Sequence, residues 1–302
     1  MRVPDNLKNI ICYLAVRLAD GESFKYQSRG TGFFIAIPGE TDSRLFHVYL
    51  ITARHCIEKV KEHGDLYVRL NFDPRLTDFV KFGDADFLPV PLDDWIFPDD
   101  GAIDIAARPF NLLQEDAVVH QALSQSSFAT DRKLNTFNVG IGDAVFILGL
   151  FSHREGRRKN IPIVRSGNIA AMPEEPLIDE NSGQEYEAYL IEVRSLGGLS
   201  GSPVFAAQGR GLYSAVAAES VMSPGLLGLI RGHWDLRTRK NYVGYAEDEP
   251  LTVNTGIAIV TPIQEVTKLL ESDELKKQRR RQEREWLAKN SHLLTSGSRE
   301  GE

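Results

Sequence analysis

Nine short runs of β-branched, aromatic and aliphatic residues, each bounded by turn residues, restrict the fold more than any other feature of the chain: IICYLAV, TGFFIAI, HVYLITA, DLYVRLNF, DAVFILGL, IPIVRSGNIAAM, YEAYLIEV, GLLGLIRG and GIAIVTP. β-branched and aromatic side chains fit a pleated, half-buried surface, and runs of this length bounded by turns read as strands. In DLYVRLNF, Leu66, Val68, Leu70 and Phe72 alternate with Tyr67, Arg69 and Asn71, which predicts a strand with one buried face. So many strands with so few helices predict an all-β fold, a barrel or sandwich. At 302 residues the chain is long enough for two such units.

Asn111 to Asn138 is polar and without a strand pattern, which places a boundary between two β units there. MPEEPLIDENSGQ (172–184) and AAESVMSPG (217–225) read as surface loops. After Pro262, Val266, Leu269 and Leu270 fall at helical spacing, and Pro262 suits a first turn, so a C-terminal helix is expected from there. Its continuation, KKQRRRQEREWLAKN, is polar all round and predicts a solvated helix or a docking surface centred on Trp286. The SGSREGE tail reads as disordered. Thirty-five basic against 42 acidic residues give a net charge of −7, which offers no global attraction for nucleic acid or anionic membrane. The apolar run from Ile10 to Val16 is too short for a signal peptide or a membrane helix, so a cytoplasmic location is expected. Cys12 and Cys56 are too few for a disulfide scaffold or a zinc site, and both are expected as free thiols.

The chemistry concentrates in GGLSGSPVF, Gly197 to Phe205. A serine hydroxyl needs a base to take its proton, and the base needs a group to fix its tautomer and stabilise its cation. His55, in YLITARHCIEKV, stands where an apolar strand gives way to a polar helix start. Asp104, in GAIDIAARPF, is an acid among Ala102, Ile103, Ile105 and Ala106, which is costly unless a buried partner satisfies it. Glycines around Ser200 permit unusual backbone angles and close approach of a carbonyl, so the N–H groups of Gly198 and Ser200 are the expected oxyanion donors.

The order His55, Asp104, Ser200, at spacings of 49 and 96 residues, with GTGFFIA, LITARHC, DIA and GLSGSPVF, resembles the chymotrypsin-fold, trypsin-like serine proteases over residues 10 to 270. NVGIGDAVFILG, VRSGNIAAM and GIAIVTPIQEVTKLL resemble strands and the last helix of HtrA-type bacterial proteases. GSPVF is similar to bacterial glutamyl endopeptidases. The resemblance implies two six-stranded antiparallel barrels with a C-terminal helix: a peptidase domain over 1–270, with a first barrel at about 8–112, a connection at 113–138 and a second barrel at 139–262, then a charged helix and tail at 263–302. His55 and Asp104 would come from the first barrel and Ser200 from the second. Leu199 stands where secreted trypsins carry an aspartate, so activation by N-terminal clipping is not expected. Cys56 follows His55 as in trypsins, but no cysteine lies near Thr31 to Phe34, so that disulfide is absent. HtrA proteins continue into a PDZ domain, whereas here one charged helix is expected after the second barrel, so their peptide-tail sensing and cage assembly are not expected.

Competing assignments are weaker. Asp99 and Asp100 sit in PDDG, a turn. An α/β-hydrolase elbow would need glycine at position 202, which is serine. The remaining histidines, at 47, 63, 120, 153, 233 and 292, show no ligand spacing, so no metal or other cofactor is expected. Cys56 lacks a glycine-lined anion site. By the resemblance, the strand LLGLIRGHW lines the pocket for the substrate, making Arg231, Gly232 and His233 its candidate residues. The expected activity is an intracellular serine endopeptidase acting on protein or peptide, with the C-terminal helix available to an activating or targeting protein. The alternative is a catalytically silent protease-fold module that binds a partner through its cleft or that helix. Nucleic acid binding through Lys276 to Arg284 is disfavoured by the acidic body.

Overall fold

The computed structural model describes residues 3–21, 23–61, 65–71, 87–110, 121–156, 159–179, 182–193, 198–206, 225–238 and 251–290. Among the described residues seven strands form the first sheet: β1 (Ile11–Asp20), β2 (Ser23–Pro38), β3 (Phe46–Thr52), β4 (Leu66–Arg69), β5 (Phe87–Val90), β6 (Ala106–Pro109) and β7 (Leu123–Ser124). Their order is β5-β4-β1-β2-β3-β6, antiparallel throughout, with β7 added in parallel to β2. Helix α1 (Arg54–Lys61) follows β3 directly and α2 (Asp131–Phe137) follows β7.

Strands β8 (Ala144–Gly149), β9 (Ile163–Ala171), β10 (Leu177–Ile178), β11 (Glu185–Tyr186), β12 (Tyr189–Glu192), β13 (Pro203–Ala206), β14 (Gly225–Thr238) and β15 (Leu251–Pro262) make up the second unit. Six of them close a barrel in the order β12-β15-β14-β13-β8-β9, and among the described residues β10 pairs only with β11. The barrel interior is aliphatic, with Val145, Ile147, Ile191, Val204, Leu227 and Val260 all buried. The first sheet, curled but not closed among the described residues, packs its own core of Ile11, Leu14, Phe33, Ile35, Leu50 and Ile51. That core runs on into Phe146, Leu150, Phe205 and Leu229, so the two units share one apolar seam.

Several local expectations need correction. β4 has no solvent face: Leu66, Tyr67, Val68 and Arg69 are all buried. Tyr67 packs edge-on against Tyr26, while Arg69 donates to the Gly156 carbonyl at 2.8 Å and lies over the Phe87 ring. The polar connection contains a strand, β7, and 172–184 contains part of the β10–β11 ladder. Residues 111–120 and most of 217–225 lie outside the described residues.

The C-terminal helix is two helices. Pro262 ends β15 and caps α3 (Ile263–Leu270) from outside, and α4 (Asp273–Lys289) restarts after a break at Glu271 and Ser272. Instead of a solvated rod, α4 carries three buried residues on one side, Leu275, Arg279 and Glu283. Arg279 donates to Glu40 Oε1 from Nη2 at 2.5 Å and to the Leu270 carbonyl at 2.6 Å. Glu283 accepts from the N–H groups of Glu40 at 2.8 Å and Thr41 at 2.7 Å, from the Thr41 hydroxyl and from His47. The cationic residues Lys277, Arg280, Arg281 and Arg284 line the exposed side instead. Trp286 falls half a turn from that stripe, beside the packed face. The helix is thus fastened to the β2–β3 connection by charge-assisted hydrogen bonds that polarity patterns along one helix do not encode.

Burial alone would raise the Glu283 pKa, but the donors from Thr41, Glu40 and His47 outweigh it and pull it down to about 2. A depressed folded pKa stabilises above the unfolded value of about 4.5, and that contribution is lost as pH falls through the folded value. Glu283→Gln is therefore expected to be less stable than wild type at neutral pH, with the gap closing between about pH 4.5 and 2 in denaturant titrations. A gap that stays constant over that range would contradict this role.

Among the described residues no helix is long and apolar enough to cross a membrane.

Candidate active site

The β3 strand ends at Thr52, and α1 begins two residues later, which puts His55 in the first helical turn. N–H groups in a first turn lack intrahelical partners. Asp104 supplies one: its Oδ1 accepts the His55 backbone N–H at 2.9 Å while its Oδ2 accepts Nδ1–H of the same residue at 2.7 Å. One carboxylate therefore fixes both the backbone and the ring of His55. With its proton held on Nδ1, the imidazole presents Nε2 as the basic nitrogen. Asp104 is only 8% exposed. Burial alone would lower the His55 pKa, yet the Asp104 hydrogen bond, aided by Cys56, overrides it and raises the pKa above the ordinary value.

Asp104 lies in the turn ahead of β6 rather than within a strand, between buried Ala102 and Ala106. Asp100 shapes that turn: its Oδ1 accepts the Ala102 N–H at 2.8 Å and its carbonyl accepts that of Ile103 at 3.2 Å. Asp100 thus serves the backbone, and of the neighbouring acids Asp104 is the one on His55.

Ser200 is partly exposed in a tight loop of the second unit, whereas Ser202, two residues on, is fully buried. The loop is docked onto the first unit through Thr31. The Thr31 N–H donates to the Ser200 carbonyl at 3.0 Å, and its hydroxyl donates to the Gly198 carbonyl at 2.9 Å and accepts the Leu150 N–H at 2.9 Å. Gly201 completes the fit, with φ +79° and its N–H donating to the Ile230 carbonyl at 2.8 Å. A Cβ there would collide with the Thr31 carbonyl and the Thr52 hydroxyl, at the strand end that leads into His55. Gly30 closes the other side: a Cβ on it would stand 2.9 Å from Cys56 Sγ and 3.5 Å from the Ser200 carbonyl. Cys56 Sγ is in turn 3.7 Å from His55 Nε2. Two glycines and one threonine thus bring the Ser200 backbone against the segment that carries His55.

Leu199 is buried in the barrel core and anchors the loop from inside. Gly198 has φ +98°, a conformation side chains disfavour. Among the described residues, the N–H groups of Gly198 and Ser200 have no acceptor.

The three candidate pocket residues differ in position. Arg231 is 16% exposed in its side chain, donates to the Ala102 carbonyl at 2.5 Å, pairs with Asp179 at 2.8 Å and lies over the Tyr186 ring. Its charge is already neutralised, so it does not stand free to receive an acidic substrate side chain. His233 is half-exposed and 3.2 Å from Asp235. Gly232 has no atom within 4 Å of where a Cβ would be. β13 covers one edge of β14 only as far as Leu229, so among the described residues that edge is unpaired from Arg231 onward.

Thr31 and the bracing role of Arg231 are not visible in the sequence; the only signal at Thr31 is its place in GTGFF. Cys12 and Cys56 are free and buried. Among the described residues no cluster of three His, Cys, Asp or Glu side chains could hold a metal ion. Compared with family models and with curated proteins, the chain gives no match.

Proposed function

We propose that this chain is a serine endopeptidase of the trypsin-like class, with the curled sheet and the closed barrel as its two β units. The observation that carries the proposal is the double grip of Asp104 on His55, combined with a glycine-lined serine loop docked against the same segment. In this reading His55 Nε2 takes the Ser200 hydroxyl proton as the oxygen attacks a peptide carbonyl, and Asp104 stabilises the imidazolium that forms. The Gly198 and Ser200 N–H groups receive the oxyanion. His55 then protonates the leaving amine, and water, activated by the same imidazole, releases the acyl group and restores Ser200.

The β14 edge that is unpaired among the described residues lies next to this loop and suits an extended substrate, because unpaired strand N–H and C=O groups hydrogen-bond to any peptide main chain. A neutralised Arg231 and an open Gly232 argue for recognition through the main chain rather than through a charged pocket.

Incubation of the purified protein with a denatured protein substrate, followed by mass spectrometry of the fragments, tests this. Ser200→Ala is expected to reduce cleavage by about 10³-fold or more without changing the far-ultraviolet circular dichroism. Cleavage retained in that variant would reject Ser200 as the nucleophile.

A further inference from the structure

The Arg231 side chain points to a function that its charge alone does not explain. It leaves β14 at a bulge, where the register against β15 skips from Ile230 opposite Val260 to Gly232 opposite Ile259. Its guanidinium then crosses from the barrel to the first unit and donates to the Ala102 carbonyl at 2.5 Å, two residues before Asp104. The other edge pairs with Asp179, and the face lies 3.8 Å from the Tyr186 ring centroid. These partners are themselves fixed. Asp179 accepts the Ser182 N–H at 3.0 Å, and Tyr186 packs with Ala102 and Ala188 in a small apolar cluster.

We propose that Arg231 is a positioning residue that holds the Asp104 turn at the height where the carboxylate meets both N–H groups of His55. The Ala102 peptide is gripped at both ends, its N–H by Asp100 and its carbonyl by Arg231. A partly buried cation with partners on this scale adds little net stability over an apolar residue, because desolvation offsets the attraction. What it does supply is geometry, and displacement of a catalytic group by about 1 Å can cost about 10²-fold in rate. Lysine cannot reproduce the arrangement, since a single ammonium lacks the planar fork and the stacking face.

The catalytic consequence rests on the peptidase reading, whereas the effect on His55 does not. Two variants separate them: Arg231→Lys, and Asp179→Asn, which keeps the shape and weakens the tether. Each is compared with wild type for its His55 titration by NMR, its rate of fluorophosphonate labelling and its thermal melt. Arg231→Lys is expected to move the His55 midpoint toward lower pH and to slow labelling by about 10- to 100-fold, with Asp179→Asn intermediate. A fall in melting temperature with His55 titration and labelling unchanged in the folded protein would overturn the proposal and leave Arg231 merely structural. Should wild type take no label, the nucleophile assignment falls and the His55 titration alone decides: a shift upholds the positioning role of Arg231, and none rejects it.

Discussion

Asp104→Asn is expected to lower peptide hydrolysis by about 10³- to 10⁴-fold while the protein remains folded, because an amide in place of the carboxylate disrupts both the tautomer and the cation stabilisation of His55. The pH profile carries a second signature. Asp104 raises the His55 pKa against the opposing effect of burial, and a base must be neutral to act, so the wild-type rate should climb with pH above the ordinary histidine value of about 6.5. In the Asp104→Asn variant that raising cause is lost, so the rising limb moves to lower pH even as the plateau collapses. The stability linkage has the opposite sense to that of Glu283. A raised folded pKa stabilises most below about pH 6.5, and the contribution is lost as pH rises through the folded value. Rate measurements from about pH 5 to 10 on both proteins test the profile, and an unshifted limb in the variant would show that Asp104 does not control His55.

Arg279→Ala is expected to destabilise the protein by about 3 to 5 kcal/mol, since it strips a fully buried cation from its partners and leaves them unsatisfied. Glu40 loses the donor that holds it at 2.5 Å, the Leu270 carbonyl at the end of α3 loses one at 2.6 Å, and α4 loses the central one of its three buried contacts. Arg279→Lys should recover only part of the loss, because one ammonium cannot span both acceptors and Tyr49 Oη. Chemical denaturation gives the number directly. A change below about 1 kcal/mol would return α4 to the status of a solvated helix.

The strands were legible because a β-branched run reports its own pairing tendency through local composition: all nine runs overlap sheet strands at their cores, and one of them, DLYVRLNF, has both faces covered rather than one. What failed was information held elsewhere in the chain. Arg69 looks solvent-facing by alternation, yet Gly156 accepts from its guanidinium and Asn160 donates to its carbonyl. Arg279 and Glu283 look like any charge on a polar helix, and only Glu40, Thr41 and His47, more than 200 residues away, make them interior. The site was legible where chemistry is unusual for its surroundings: an acid among aliphatics at Asp104, a histidine at a strand end, a serine among glycines. Thr31 and Arg231, which brace those groups, are ordinary residues in ordinary strands and became visible only through their hydrogen bonds.

The central claim is that Ser200 is a nucleophile activated by His55. The most direct measurement is intact-mass analysis after fluorophosphonate treatment of wild type, Ser200→Ala and His55→Ala. One adduct per wild-type chain, absent from both variants, is the expected result. An adduct that persists in Ser200→Ala, or a wild-type chain that takes none, would contradict it.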